Sequence, residues 1–149
     1  MIEDFYHVTD TGELLKPFWW KDSVDKGLGF EKKNIVAITW ISGGKKYQKE
    51  LGDIVHPEVI PGKDGILAFE KNNNRIKKLV VYESDGSLRF GISPPIVSEW
   101  SKPEKAFFYY VQFLKNGECE CIFDDGHHEY RSKLNVVNGE MSDFRKTRV

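Results

Sequence analysis

Cys119, Cys121, Asp124, His127, His128 and Glu129 form the cluster in this sequence that most resembles a metal site. Thiolates and imidazoles are zinc donors, and four of them would close a tetrahedron. The spacing works against it. On a strand, Cys119 and Cys121 share one face, while His127 and His128 point to opposite sides, so a single ion cannot reach them all. Both Cys read instead as small core residues, and same-strand neighbours two apart are badly placed for a disulfide. Glu118, Glu120, Asp124, Asp125 and Glu129 could supply a carboxylate pair for acid–base chemistry. Glu118 and Glu120, however, have Lys133 and Arg131 as expected cross-strand partners, and Asp125 belongs to a turn. No serine lies in a Gly-x-Ser-x-Gly elbow. Lys26-Gly27-Leu28-Gly29 and Ser42-Gly43-Gly44-Lys45-Lys46 carry neither a Walker spacing nor a dinucleotide fingerprint. The expectation is therefore no catalytic residue, no metal and no cofactor.

The elements that position these residues are read from turn dipeptides. Asp64-Gly65, Asp85-Gly86, Asn116-Gly117, Asp125-Gly126 and Asn138-Gly139 each stand beside β-branched or aromatic runs. Such pairs tolerate the positive φ angles of tight hairpins, and the series predicts an all-β fold of antiparallel meanders. Taken as two-residue loops, Asn116-Gly117 sets Tyr110 opposite Phe123, and Asp125-Gly126 sets Phe123 opposite His128. Period-two alternation then gives a core face of Phe108, Tyr110, Leu114, Cys119, Cys121 and Phe123, continued by Tyr130, Leu134, Val136 and Met141. Phe107, Tyr109, Val111, Phe113 and Ile122 fall on the other face, which something should cover.

The Asp85-Gly86 hairpin reads as one-sided, with Leu79, Val81, Leu88, Phe90 and Ile92 against a core and Lys78, Tyr82, Ser87 and Arg89 outside. Residues 66–70 add a strand through the polar 71–75 loop, and Ile35–Ile41 turns at Ser42-Gly43-Gly44 into 45–51. Segments 52–64 and 93–105, each with prolines, read as connections. The second divides a three-strand group from a four-strand meander, so a two-sheet sandwich or open barrel is expected, in one domain over 1–149. Residues 1–33 are the least legible; a short helix over Ser23–Gly29 is weakened by Gly27 and Gly29.

Composition bounds the function. The chain has 149 residues, 22 Lys plus Arg against 23 Asp plus Glu, and 20 aromatics among ten Phe, six Tyr and four Trp. That is enough apolar matter for a core and too little positive charge for a nucleic-acid binder that relies on it. No stretch is apolar and long enough to span a bilayer. Acidic Met1-Ile2-Glu3-Asp4 does not begin a secretory signal, and two Cys fit a reducing compartment, so a cytoplasmic location is expected.

The near-zero net charge hides segregation. Residues 1–15 hold Glu3, Asp4, Asp10 and Glu13 with no Lys or Arg, and residues 118–129 hold five acids with none, leaving +8 for the rest. The densest basic stretch is Lys71, Arg75, Lys77 and Lys78. Opposed fields on one small domain suit a charged protein partner. Among the aromatics, Trp19 and Trp20 are adjacent, so on a strand they face opposite ways and one becomes a candidate exposed anchor. Trp100, in the Pro-bounded 93–105 segment, is a second candidate; Trp40 reads as core.

Small, leaderless, aromatic-rich and antiparallel-β, without a catalytic constellation, the chain resembles the immunity proteins of bacterial toxin–immunity systems, including contact-dependent inhibition. The resemblance covers the whole chain in general traits and no motif, so it transfers no site residues. It implies a cytoplasmic protein that binds a toxin domain, often a nuclease, through a charge-complementary face. On that reading the partner-binding residues are Asp124, Asp125, Glu129, Glu3 and Asp4, with Trp19 or Trp20. Two alternatives stand beside it: a small-ligand β-barrel or sandwich lined by Phe107, Tyr109 and Val111, and a metal-dependent hydrolase using Asp124, His127 and Glu129.

Overall fold

Two apolar runs, Ile66–Phe69 and Leu79–Tyr82, dictate the architecture, because neither contains a residue suited to water. In the computed structural model, which describes residues 1–17 and 33–147, every residue of both runs is buried. The described residues form twelve strands in three antiparallel sheets. Sheet A runs in the order β2 (Leu14–Leu15), β1 (Ile2–Thr9), β3 (Ile35–Ser42), β4 (Lys45–Glu50). Sheet B runs β5 (Ile54–Val59), β6 (Gly65–Asn72), β7 (Arg75–Glu83), β8 (Leu88–Ile92). Sheet C runs β12 (Met141–Lys146), β11 (Glu129–Leu134), β10 (Cys119–Asp124), β9 (Phe107–Phe113). A single 3-10 turn, Pro103–Lys105, stands in the connection before β9.

Sheet B is the middle layer. Alternate residues of β6 and β7 enter different cores: Ile66, Ala68, Val80 and Tyr82 pack with Ile38 and Trp40 of sheet A. Leu67, Phe69, Leu79 and Val81 pack with Phe108, Cys121 and Phe123 of sheet C. The all-β antiparallel class is as the turns indicate, but there are three sheets, none closed into a barrel. The β7–β8 hairpin is accordingly not one-sided: Tyr82, expected outside, is buried in the sheet A core.

Loop lengths account for the remaining differences. The Asn116-Gly117 hairpin is a three-residue loop, closed by Leu114 N–H to the Glu118 carbonyl at 2.8 Å and Gly117 N–H to the Leu114 carbonyl at 3.0 Å. Of its loop residues only Gly117 has positive φ, the pattern of a type I turn followed by a left-handed glycine bulge. One extra residue flips the parity of β9. Tyr110 pairs with Ile122 and is exposed, while Val111 and Phe113 turn toward the core. A bulge between Ile122 and Phe123 restores the phase, so Phe108 is buried as expected. The Asp125-Gly126 loop is longer by two residues, which preserves parity: Phe123 pairs with Tyr130, not His128, and Tyr130 and Leu134 remain in the core. Leu88, expected inside, is exposed because a bulge follows Tyr82–Leu88 in the pairing.

The tight positive-φ turns fall at Gly43-Gly44 and Asn73-Asn74. Asp64-Gly65 is not one. Gly62 and Lys63 take the positive φ angles, and Gly65 opens β6. Segment 52–64, read as a connection, contains β5. Its Pro57 is tolerated because β5 is an edge strand and its register shifts between Val55 and Glu58. Trp19, Trp20 and the Ser23–Gly29 helix lie outside the described residues.

Arg89 ties two layers together. Its guanidinium meets the Glu83 carboxylate and donates to the Asp64 carbonyl at 2.9 Å and, across to sheet C, to the Val136 carbonyl at 3.0 Å. It packs over Gly65, where an added Cβ would lie 2.8 Å from the Tyr82 carbonyl oxygen and 3.1 Å from Arg89 Nη2. Gly65→Ala is therefore expected to destabilise by about 1–3 kcal/mol through overpacking against backbone. Gly117→Ala, with open space but a φ of +83°, should cost about 1–2 kcal/mol through backbone strain alone. Urea unfolding of the two variants checks this; an unchanged midpoint for Gly65→Ala would contradict the packing.

Candidate functional site

The acidic turn between β10 and β11 is built around Asp125, whose side chain is 1% exposed. One carboxylate oxygen accepts the N–H groups of His127 at 2.8 Å and His128 at 2.7 Å; the other accepts the Ser101 hydroxyl at 2.6 Å. The Asp125 carbonyl accepts Lys102 N–H at 2.7 Å. Asp, a turn former able to bond amides two and three residues on, is suited to this position. Gly126 completes it: φ is +91°, and a Cβ there would stand 2.3 Å from the Lys102 carbonyl oxygen. The turn and the 98–102 segment are thus one fastened unit. Burial alone would raise the Asp125 carboxyl, but the Ser101 hydroxyl, the two histidine amides and nearby His127 outweigh it and hold it below its ordinary value.

This unit carries an exposed aromatic. Trp100 is 63% exposed, and its indole lies 6.3 Å from the exposed His127 ring. Glu99 and Ile96 are exposed on the same segment. Asp124 is half-buried, with one carboxylate oxygen accepting Gly126 N–H at 2.7 Å. Glu129, also half-buried, accepts the Thr147 hydroxyl. Of the three expected partner-binding acids here, Asp125 therefore faces inward, while Asp124 and Glu129 are half-buried and pair opposite each other where β10 and β11 enter the turn. What the charge reading missed is that Asp125 and Ser101 link the acidic turn to Trp100; no local pattern joins residues 24 apart.

Glu3 and Asp4 are exposed on β1, with Asp4 at φ +50° in a register shift. They belong to the other outer layer. Ile2 N–H bonds the Lys63 carbonyl, next to Asp64, and Arg89 joins Asp64 to Val136. Val136 follows the end of β11 remote from the acidic turn. Glu3 and Asp4 thus lie nearer the Leu134 end of β11 than the acidic turn.

The basic stretch is largely engaged: Lys77 Nζ donates to the Glu104 and Ala106 carbonyls at 3.1 and 2.7 Å, and Arg75 stands over the Phe107 ring at 5.6 Å. The Glu120–Arg131 pair forms at 3.2 Å. Of the expected ligand-pocket residues, Phe107 and Tyr109 flank a cleft of about 440 Å³, whereas Val111 turns inward. Cys119 and Cys121 are free thiols in the core; burial pushes Cys119 up to about 12 and Cys121 higher still. Among the described residues no group of three or more His, Cys, Asp or Glu is placed to hold a metal, and no helix is long and apolar enough to cross a membrane.

No family model matches the chain, and no curated protein matches it. A solved structure shares its fold. One chain in the structure of Tne2 in complex with Tni2 superposes with a TM-score of 0.72 at 12% identity, covering 99% of this chain and 100% of that one. The likeness is one of fold.

The fastened turn makes a pH-dependent prediction. A carboxyl held below its ordinary value contributes stability that is fully present above that value and is lost as pH falls through the folded value. Asp125→Asn should therefore lower stability by about 1.5–3 kcal/mol at neutral pH, the worth of hydrogen bonds to a charged group. The gap between the two proteins should narrow below the ordinary 3.8. Chemical unfolding across pH reads both; a gap independent of pH would show that the charge is not what the turn uses.

Proposed function

We propose that this chain is a non-catalytic protein-binding domain, an immunity protein that binds and neutralises a cognate toxin domain. The observation that carries the reading is the full-length likeness of fold to a chain solved inside the Tne2–Tni2 complex, an assembly we read as a toxin–immunity pair. It agrees with the resemblance to immunity proteins. The site is the fastened acidic turn: Trp100 is the aromatic anchor, His127 its neighbour, and Asp124, Glu129 and Glu99 supply the acidic rim. An exposed Trp ringed by polar groups has the composition of an interface hot spot. The rim suits a basic partner surface and would steer its approach. Because Asp125 and Gly126 fix the turn before any partner arrives, little ordering entropy opposes association. Glu3 and Asp4, on the other outer layer, make a separate and weaker contribution.

The test is capture of the partner from source cells, expression of that partner alone to measure growth arrest, and rescue by this chain. Trp100→Ala is expected to weaken binding at least about 30-fold, the effect of losing a hot spot worth about 2 kcal/mol. Asp124→Lys should slow association and abolish rescue, and Glu3→Lys with Asp4→Lys should cost less than either. A captured partner that is harmless alone would overturn the immunity reading. Unchanged affinity in Trp100→Ala and Asp124→Lys would overturn the site.

A further inference from the structure

The densest basic stretch of the chain meets the 3-10 turn across a cleft of about 550 Å³, whose lining includes Asn72, Asn73, Arg75, Lys77, Ser93 and Glu104. Lys77 is the extra residue of a bulge: Glu70 pairs with Lys78 and Lys71 with Ile76, which leaves Lys77 without an opposite. Bulges of this kind re-aim side chains and gather beside sites. The Lys77 ammonium donates to the Glu104 and Ala106 carbonyls at 3.1 and 2.7 Å and keeps its remaining proton. Arg75 donates through Nη1 to the Lys105 carbonyl at 3.4 Å and keeps its other N–H groups. These bonds hold the two cations without neutralising them. Among the described residues Arg89, Arg131 and Arg145 each meet a carboxylate, whereas Arg75 and Lys77 meet carbonyl oxygens and, for Arg75, the Phe107 ring. Glu104, the acid of this lining, is exposed, and its carboxylate joins none of the ion pairs among the described residues.

We propose that this cleft binds a phosphate group, free or carried on a small organic molecule, held between the Arg75 guanidinium and the Lys77 ammonium. A guanidinium presents paired donors that match the oxygens of a phosphate, and an ammonium adds a point charge. The Ser93 hydroxyl and the Asn72 and Asn73 side-chain amides, exposed on the same lining, supply further donors. Arg75 is exposed and Lys77 half-buried, so an anion reaches both without displacing the fold. The charge of the lining, Arg75 and Lys77 against Glu104, is positive but small, which suits one compact anion and not a nucleic-acid strand. Because the carbonyl bonds hold both cations before the ligand arrives, little side-chain ordering opposes binding. The volume lies within the range of small-molecule sites. This site does not draw on the immunity reading and its test needs no partner, so either can fail without the other.

The test is an amide-resonance titration of the isolated chain with inorganic phosphate, glycerol phosphate and acetate at neutral pH and fixed ionic strength, since screening alone changes the affinity of exposed charges. Phosphate should shift Arg75, Lys77, Ser93 and Glu104 saturably with a dissociation constant of about 10 mM or tighter; acetate should not saturate. Tighter binding of glycerol phosphate assigns the group to an organic ligand, and equal or weaker binding assigns it to the free ion. Arg75→Gln should weaken phosphate about tenfold, and Arg75→Lys less, because the charge stays while the fork is lost. Glu104→Gln should tighten it about threefold by removing a nearby like charge. Dispersion of the remaining resonances shows that each variant keeps the fold. Absence of saturable shifts at these residues, acetate binding as tightly as phosphate, or an unchanged affinity in Arg75→Gln would refute the proposal.

Discussion

The fold depends on a pair of strands with no face for water. Because Ile66–Phe69 and Leu79–Tyr82 are apolar at consecutive positions, β6 and β7 are satisfied only by cover on both sides. Fully burying one large apolar side chain is worth about 1.5–3 kcal/mol. Exposing one face would forfeit Leu67, Phe69, Leu79 and Val81 at once, and exposing the other would forfeit Ile66 and Val80 together with Ala68 and Tyr82. That requirement recruits sheet A on one side and sheet C on the other. It relegates everything that touches solvent to the outer layers, the loops and the sheet edges. The acidic turn and Trp100 lie in those places.

How far the sequence was readable follows from what sets parity. Four of the five Asn-Gly and Asp-Gly pairs put their glycine at positive φ, Gly65 being the exception, because a residue at positive φ is needed in both the two-residue turn and the three-residue loop with a glycine bulge. They do not say which loop forms, and a one-residue difference turns every side chain of the next strand over. Tyr110 and Val111 exchanged places for that reason, whereas Tyr130 and Leu134 did not, the error there being two. The hidden third sheet was equally a matter of reading four-residue apolar runs as half of an alternation. Each run was visible, but a run buried on both faces looks the same as one read in the wrong phase.

The candidate site was legible as charge and illegible as geometry. The acids of residues 118–129 stand out by composition, yet their roles diverge. Glu120 pairs with Arg131, Asp125 turns inward to Ser101, and Asp124 and Glu129 remain at the surface. Asp125 illustrates why: a short carboxylate beside glycine is as much a turn device as a charge.

The two-sided hairpin also has a consequence for how its own pairing is policed. In an ordinary half-buried sheet, a one-residue slip drives polar side chains inward and is rejected by solvation. A slip of β6 or β7 would only exchange one apolar set for another, so hydrophobicity offers little proofreading. Discrimination must come from shape and from fixed points. Gly65 admits no larger side chain at its position, the Asn73-Asn74 turn locks one end, and the Trp40 indole N–H holds the Ser84 carbonyl at 2.8 Å at the other. The central layer supplies most of the cohesion, and a glycine, a tight turn and a polar bond at its ends decide which of several greasy alignments is the native one.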